Sequence, residues 1–203
     1  MMTGRMPAVF VDRDGTLLEE VGYLDRLERL ALFPHSIDAV RMLNRAGFRV
    51  VVITNQAGVA RGFFGEDFVR KAHEFLDATF RAGRARIDAF YYCPHLPEAS
   101  VEAYRRQCDC RKPRPGMIRD AERDLDLDIP RSYVVGDRWL DVELGLAVGA
   151  RTVLVRTGYG RTEESRPPAG LQADAVTDNL MAAVTWILRR ADARRMGEPW
   201  AGS

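Results

Sequence analysis

The chemistry-bearing residues lie in three short stretches. "VFVDRDGT" places Asp12 and Asp14 two residues apart where an apolar run ends. In extended chain, positions i and i+2 face the same way, so both carboxylates are expected on one pocket, with Arg13 pointing away. Gly15 permits a sharp turn, and Thr16 can cap or orient it. Two acids this close repel, so one holds a proton or a cation sits between them. Asp137 ends a second apolar run, "YVVGD". Three carboxylates in one crevice suit a hard divalent cation with oxygen ligands, Mg²⁺ above all. A pair of surface turns is the plainer reading of Asp-x-Asp alone.

The cysteines are the second signal. The chain has three, and all lie with His95 in residues 93–110 as Cys93-x-His95 and Cys108-x-Cys110. Three thiolates and an imidazole make a complete tetrahedral zinc set. The alternatives are separate buried cysteines, a reactive thiol, a disulfide, or a zinc-based nucleic-acid module. Structural zinc is the favoured reading. It would close a long loop and thereby position Arg111 and Lys112, which follow Cys110 directly.

These residues need elements to hold them. Ala8–Asp12, Phe48–Asn55, Ile87–Cys93, Ser132–Asp137 and Arg151–Gly158 are continuous apolar runs rich in β-formers, as in strands covered on both faces. Between them lie helical patterns at Ser36–Arg45, Glu66–Arg81, Met117–Leu125, Asp141–Val148 and Leu180–Arg190. In Glu66–Arg81 the expected core stripe is Phe68, Ala72, Phe75, Leu76 and Phe80. Alternating strands and helices predict a doubly wound, Rossmann-like α/β fold: a mostly parallel sheet with helices on both faces. Function then gathers at the carboxyl ends of the strands. Asp12, Thr54, Cys93 and Asp137 all end such runs, although each alone could be a cap or turn residue. A single domain is expected over residues 1–190, with 191–203 as a loose tail.

The bulk numbers exclude other classes. Charged residues make up 29% of the 203-residue chain and net charge is +1, so no strong field draws it to nucleic acid or membrane. No apolar run approaches the ~20 residues of a membrane span, and the N-terminus lacks a signal-peptide core. A cytoplasmic monomer is expected, in which a structural disulfide is disfavoured.

Taken as a whole string, the apolar strand followed by Asp-x-Asp-Gly-Thr resembles the first motif of the haloacid-dehalogenase-like (HAD) phosphotransferase superfamily. "VVITNQ" with Thr54, Lys112 in "CRKPRPGM", and "VGDRWLD" with Asp137 and Asp141 resemble the remaining motifs, in order, across residues 7–160. The resemblance implies that Asp12 attacks phosphorus and becomes an aspartyl-phosphate. It implies Mg²⁺ on Asp12, the Asp14 backbone carbonyl and Asp137. Thr54 and Lys112 would hold phosphoryl oxygens, and Asp14 would protonate the leaving group and then deprotonate water.

"DRDGT", "GY", "TNQ", "ARG", "YYCPH" and "CDCRKP" together resemble one capless branch, the heptose-bisphosphate phosphatases with the related histidinol-phosphate phosphatases. The resemblance implies structural Zn²⁺ on Cys93, His95, Cys108 and Cys110. It implies a small phosphorylated sugar as substrate, favouring removal of the 7-phosphate of D-glycero-D-manno-heptose 1,7-bisphosphate for lipopolysaccharide core precursors. Loops would choose the substrate: Glu20, Val21, Gly22 and Tyr23; Asn55, Gln56, Ala57 and Arg61; Arg111 and Arg138. Ala57 stands where the branch often has serine, and Arg138 where lysine is common. A phospho-acceptor signalling domain is the competing class. Asp14 argues against it, because an acid–base group beside the acceptor empties the acyl-phosphate quickly.

Overall fold

A computed structural model describes residues 4–196. Six strands form one sheet in the order β3-β2-β1-β4-β5-β6: β1 (Ala8–Val11), β2 (Arg49–Asn55), β3 (Ala89–Cys93), β4 (Tyr133–Gly136), β5 (Arg151–Val155) and β6 (Ala175–Thr177). Every pairing is parallel. Parallel neighbours need crossovers, and the helices supply them: α1 (Ser36–Arg45), α2 (Ala57–Ala60), α3 (Glu66–Ala82), α4 (Gly116–Leu125), α5 (Trp139–Val148), α6 (Gly160–Glu164) and α7 (Leu180–Met196).

Strand alternation sorts the core into two layers. Val9, Val11, Val50, Val52, Tyr133, Val135, Val153 and Val155 meet Val40 and Leu43 of α1, Leu76 and Phe80 of α3, and Val184 and Ile187 of α7. Ala8, Phe10, Val51, Ile53 and Val134 face the other way, onto Met117, Ile118 and Ala121 of α4 and Leu144 of α5. Each fully buried aliphatic side chain contributes about 1.5–3 kcal/mol. The two-sided burial is why these runs are apolar without alternation.

Several expected boundaries move. The C-terminal helix runs to Met196, past Arg190, so the start of the supposed loose tail is helical; residues 197–203 lie outside the described residues. The edge strand β6 and the single-turn helices α2 and α6 are too short to leave a periodic signal. The buried stripe of α3 is Val69, Ala72, His73, Leu76 and Phe80, while Phe75 is 45% exposed. A residue beside Leu76 lies about 100° round the helix, which carries Phe75 off the core face. Among the described residues no separate lid domain interrupts the order of elements, and no helix is long and apolar enough to cross a membrane.

The amino ends of the strands are closed by side chains. Ser132 Oγ accepts from Ala8 N at 2.9 Å, Asp88 Oδ2 from Val50 N at 2.9 Å, and Asp174 Oδ2 from Thr152 N at 2.9 Å. Asp88 also pairs with Arg49 at 2.8 Å. Asp88→Ala should strand the Val50 amide and cost about 1–3 kcal/mol. Urea unfolding should show a lower midpoint with an unchanged slope; an unchanged midpoint would refute the cap.

Candidate active site

The carboxyl ends of β1 and β4, where the strand order turns outward in both directions, carry the chemistry. Asp12 follows β1, and its backbone N–H continues the ladder by donating to Val135 O at 2.9 Å. Asp137 follows β4, and Asp141 lies in the first turn of α5. Ligand atoms of Asp12, Asp137 and Asp141 all lie within 4.8 Å of one another, and all three residues are buried. Asp14 lines the cleft over this group, as expected, but is not one of these three clustered donors. Asp141, named in the sequence as part of the last motif without a ligand role, takes the third place.

Lys112 is enclosed, with its side chain 1% exposed. Its Nζ lies 2.8 Å from Asp12 Oδ1, 2.6 Å from Asp141 Oδ1 and 3.1 Å from Ile53 O. Three acceptors match the three N–H bonds of an ammonium. Asn55 holds the residue's backbone, accepting from Lys112 N at 3.0 Å and donating to Lys112 O at 3.2 Å. These two bonds use one donor and one acceptor of the amide of Asn55, which also lines the cleft.

Burial is the largest influence on Asp12 and pushes its carboxyl up to about 7, although Lys112 pulls it down. Burial, then Asp12 and Asp141, push Asp137 up to about 8. Burial alone would lower Lys112, but Asp12 and Asp141 outweigh it and hold it above the ordinary lysine value. Three carboxylates against one ammonium leave two negative charges when all are ionised. Asp137 Oδ1 and Asp141 Oδ2 are buried without a hydrogen-bond partner. Asp137 Oδ2 accepts from Tyr159 N at 2.7 Å. A Cβ on Gly15 or on Gly158 would come within 2.2 Å of that oxygen, and Gly15 has φ +80°. Backbone therefore crowds Asp137 where only glycine fits. The donor set, the orphaned oxygens and the charge deficit all fit a divalent cation.

Arg13 does not point away. Its guanidinium is 1% exposed and reaches the Asp14 carboxylate at 2.9–3.2 Å. Gln56 Nε2 also donates to Asp14 Oδ2, at 3.0 Å, and to Thr54 Oγ1, at 2.9 Å. Thr16 neither caps nor orients the turn, since its hydroxyl is buried without a partner.

A cleft of about 320 Å³ opens over these groups. Asp12, Asp14, Thr54, Lys112 and Asp137 line it, as do the expected Glu20, Gly22, Tyr23, Asn55, Gln56, Ala57, Arg61, Arg111 and Arg138. Val21 does not; it packs on the core and its carbonyl accepts from Arg29. Phe64, Leu96, Leu140 and Tyr159 also line it, unforeseen because apolar and aromatic rim residues look like ordinary packing. Burial raises Glu20, whose carboxylate accepts from Gly22 N at 2.6 Å. Tyr23 meets Phe63 edge-on at 4.6 Å, and Arg138 lies over Tyr159 at 4.9 Å.

The second cluster stands beside the cleft. Cys93 Sγ lies 3.5 Å from Cys108 and 3.3 Å from Cys110, and those two are 3.3 Å apart. His95 Nδ1 lies 3.3 Å from Cys110 and 3.8 Å from Cys93. Sulfur ligands at ~2.3 Å in a tetrahedron sit about 3.8 Å apart, so the four donors fit one zinc-sized centre after a small expansion. Arg111 donates to His95 O at 3.1 Å, which ties the cleft wall to this cluster.

The HAD-hydrolase-like family model matches residues 109–183, which begin within the cysteine cluster and run through Lys112, Asp137 and Asp141. D-glycero-beta-D-manno-heptose-1,7-bisphosphate 7-phosphatase of Escherichia coli is 40% identical over 178 residues, covering 87% of this chain and 93% of that protein. D-glycero-D-manno-heptose-1,7-bisphosphate 7-phosphatase of Thermosynechococcus vestitus is 44% identical over 186 residues, covering 89% and 95%. The crystal structure of D,D-heptose 1,7-bisphosphate phosphatase from B. bronchiseptica, complexed with magnesium and phosphate, superposes with a TM-score of 0.81 at 30% identity, covering 91% of this chain and 99% of that one. Identity at this level over nearly the full length of both partners, on one shared fold, leaves a single assignment: the chain belongs to the HAD-like hydrolases, in the family of the D-glycero-D-manno-heptose-1,7-bisphosphate 7-phosphatases.

Proposed function

We propose that the chain is a Mg²⁺-dependent phosphatase that removes the 7-phosphate of D-glycero-D-manno-heptose 1,7-bisphosphate. The meeting of Asp12, Asp137 and Asp141 around one point, braced by Lys112, carries this reading. The named activity of the relatives, and the magnesium and phosphate in the B. bronchiseptica structure, support it.

Asp12 Oδ attacks phosphorus, the bond to the sugar oxygen breaks, and an aspartyl-phosphate forms. Asp14 gives the departing oxygen its proton, then takes one from the water that cleaves the acyl-phosphate. Lys112 orients Asp12 and sets its positive charge against the phosphoryl oxygens, with Thr54 beside it. Bound at Asp12, Asp137 and the Asp14 carbonyl, with Asp141 adjacent, magnesium would offset charge on the acids and the phosphoryl group. Arg61, Arg111 and Arg138, at the cleft mouth, suit the second phosphate of a bisphosphate. Zinc on Cys93, His95, Cys108 and Cys110 would hold the loop that carries Arg111 and Lys112.

Asp12→Asn should lower turnover of the heptose bisphosphate on the order of 10⁴-fold or more; retained turnover removes the nucleophile. A substrate panel should rank the heptose 1,7-bisphosphate above histidinol phosphate.

Aspartates of the unfolded chain titrate near 3.8, against about 7 for Asp12 and about 8 for Asp137 when folded. Between those values the folded chain binds more protons than the unfolded one. This contribution is full below 3.8 and is lost as pH rises toward 8 in magnesium-free buffer. Magnesium competes with the same protons. Its stabilisation, read as a rise in Tm, should be large near about pH 8 and small near about pH 6. An equal rise at both would contradict the site.

Metal analysis of the purified chain should find about one zinc. Cys110→Ser should lose it together with thermal stability; a zinc-free chain of full stability would exclude the structural role.

A further inference from the structure

We infer that Arg13, backed by His73, is a positioning residue that holds the Asp14 carboxylate in its proton-transfer orientation; this rests on the reading of Asp14 as the acid–base group. The guanidinium meets both Asp14 oxygens through Nε and a terminal nitrogen, at 2.9–3.2 Å. That two-point fork fixes the plane of the carboxylate as well as its position, which a single ammonium cannot do. Gln56 Nε2 at 3.0 Å and Thr54 Oγ1 at 3.5 Å approach Asp14 Oδ2 as well.

Arg13 is itself held from behind. Its other terminal nitrogen lies 3.4 Å from His73 Nε2. His73 is buried on α3, stacked on Phe90 at 4.8 Å with Tyr92 against its edge at 5.7 Å. Burial, with Arg13 second, pushes His73 down to about 3, so a neutral ring faces the guanidinium and can accept from it. A fully buried arginine is a poor choice for stability alone, because desolvating the charge is costly. Its carboxylate partner is the adjacent residue, so the ion pair itself is local, and the contact with α3 runs through His73. What it does accomplish is to take rotational freedom from a side chain that remains 20% exposed to the cleft.

The two half-reactions allow a test that a merely structural role would not pass. The full-length, metal-loaded protein is given p-nitrophenyl phosphate. Nitrophenolate leaves as a stable anion, so forming the Asp12–phosphorus bond and breaking the phosphorus–oxygen bond needs no proton from Asp14. Completing the cycle requires Asp14 to take a proton from water as oxygen bonds to phosphorus and the aspartyl bond breaks. Arg13→Met should give a burst of about one nitrophenolate per chain, followed by turnover ~10–100-fold slower than the parent. Arg13→Lys should recover part of the loss, and His73→Phe, which keeps the ring stack, should show a several-fold loss with the burst intact. Turnover within twofold of the parent in folded Arg13→Met, or burst and turnover falling in equal proportion, would overturn the inference. Should Arg13→Met not fold, Arg13→Lys and His73→Phe decide it by the same burst-to-turnover ratio. Asp14→Asn run alongside separates the two readings: if it too turns over within twofold of the parent, the acid–base assignment of Asp14 has failed, whereas a slow Asp14→Asn beside an unimpaired Arg13→Met overturns the role of Arg13 alone.

Discussion

The site depends on one buried imbalance of charge. Asp12, Asp137 and Asp141 are packed within a few ångströms of one another, with Lys112 as the cation paired to Asp12 and Asp141. Ionised carboxylates removed from water are costly unless paired, and one ammonium cannot pair three. The protein meets part of this cost by letting carboxyls hold protons, which is what the raised values of Asp12 and Asp137 express. A dication would satisfy the remainder. Without such a cation the same imbalance would repel a phosphoryl group, which is itself negative.

That imbalance can exist only on a stiff support. Parallel strands covered on both faces present their carboxyl ends as one row, and their amino ends are tied off by Ser132, Asp88 and Asp174. Lys112 does not come from a strand. It comes from a long connection after β3, where the Asn55 amide holds its backbone and the four-donor cluster ending at Cys110, once metal-loaded, would add a second hold. Arg111, bonded to His95 O, is drawn into the cleft wall by the same segment.

Around the acids the packing is specific to glycine. Gly15 and Gly158 leave no space for a side chain against Asp137, and a Cβ on Gly136 would strike the Asp141 carboxyl at 2.3 Å. Backbone rather than side chain forms this wall. Opposite it, Arg13, Gln56 and Thr54 converge on Asp14, which separates the two acids of "DRDGT" into different environments: one beside a lysine and two carboxylates, the other on a buried guanidinium.

Strand positions, the parallel class and the cysteine cluster were legible in the sequence, because each depends on local composition or on periods of two and 3.6 residues; the loop residues of the cleft were named only through the resemblance of whole motifs to a known family. Apolar runs ending in Asp12, Thr54, Cys93 and Asp137 already implied one shared edge. The partnerships were not legible, since they depend on directions in space that no period encodes. Alternation sent Arg13 away from the cleft, but the strand stops at Val11, and past the last ladder bond the turn through Gly15 redirects the side chains. Asp141 joined the acids because α5 starts directly after the Asp137 end of β4, and Val21 lies outside the cleft lining because its side chain packs on the core. Residue types and order settled what chemistry was available. The tertiary structure alone decided which charges face one another, because electrostatic energy depends on separation and burial, and both are properties of the folded packing.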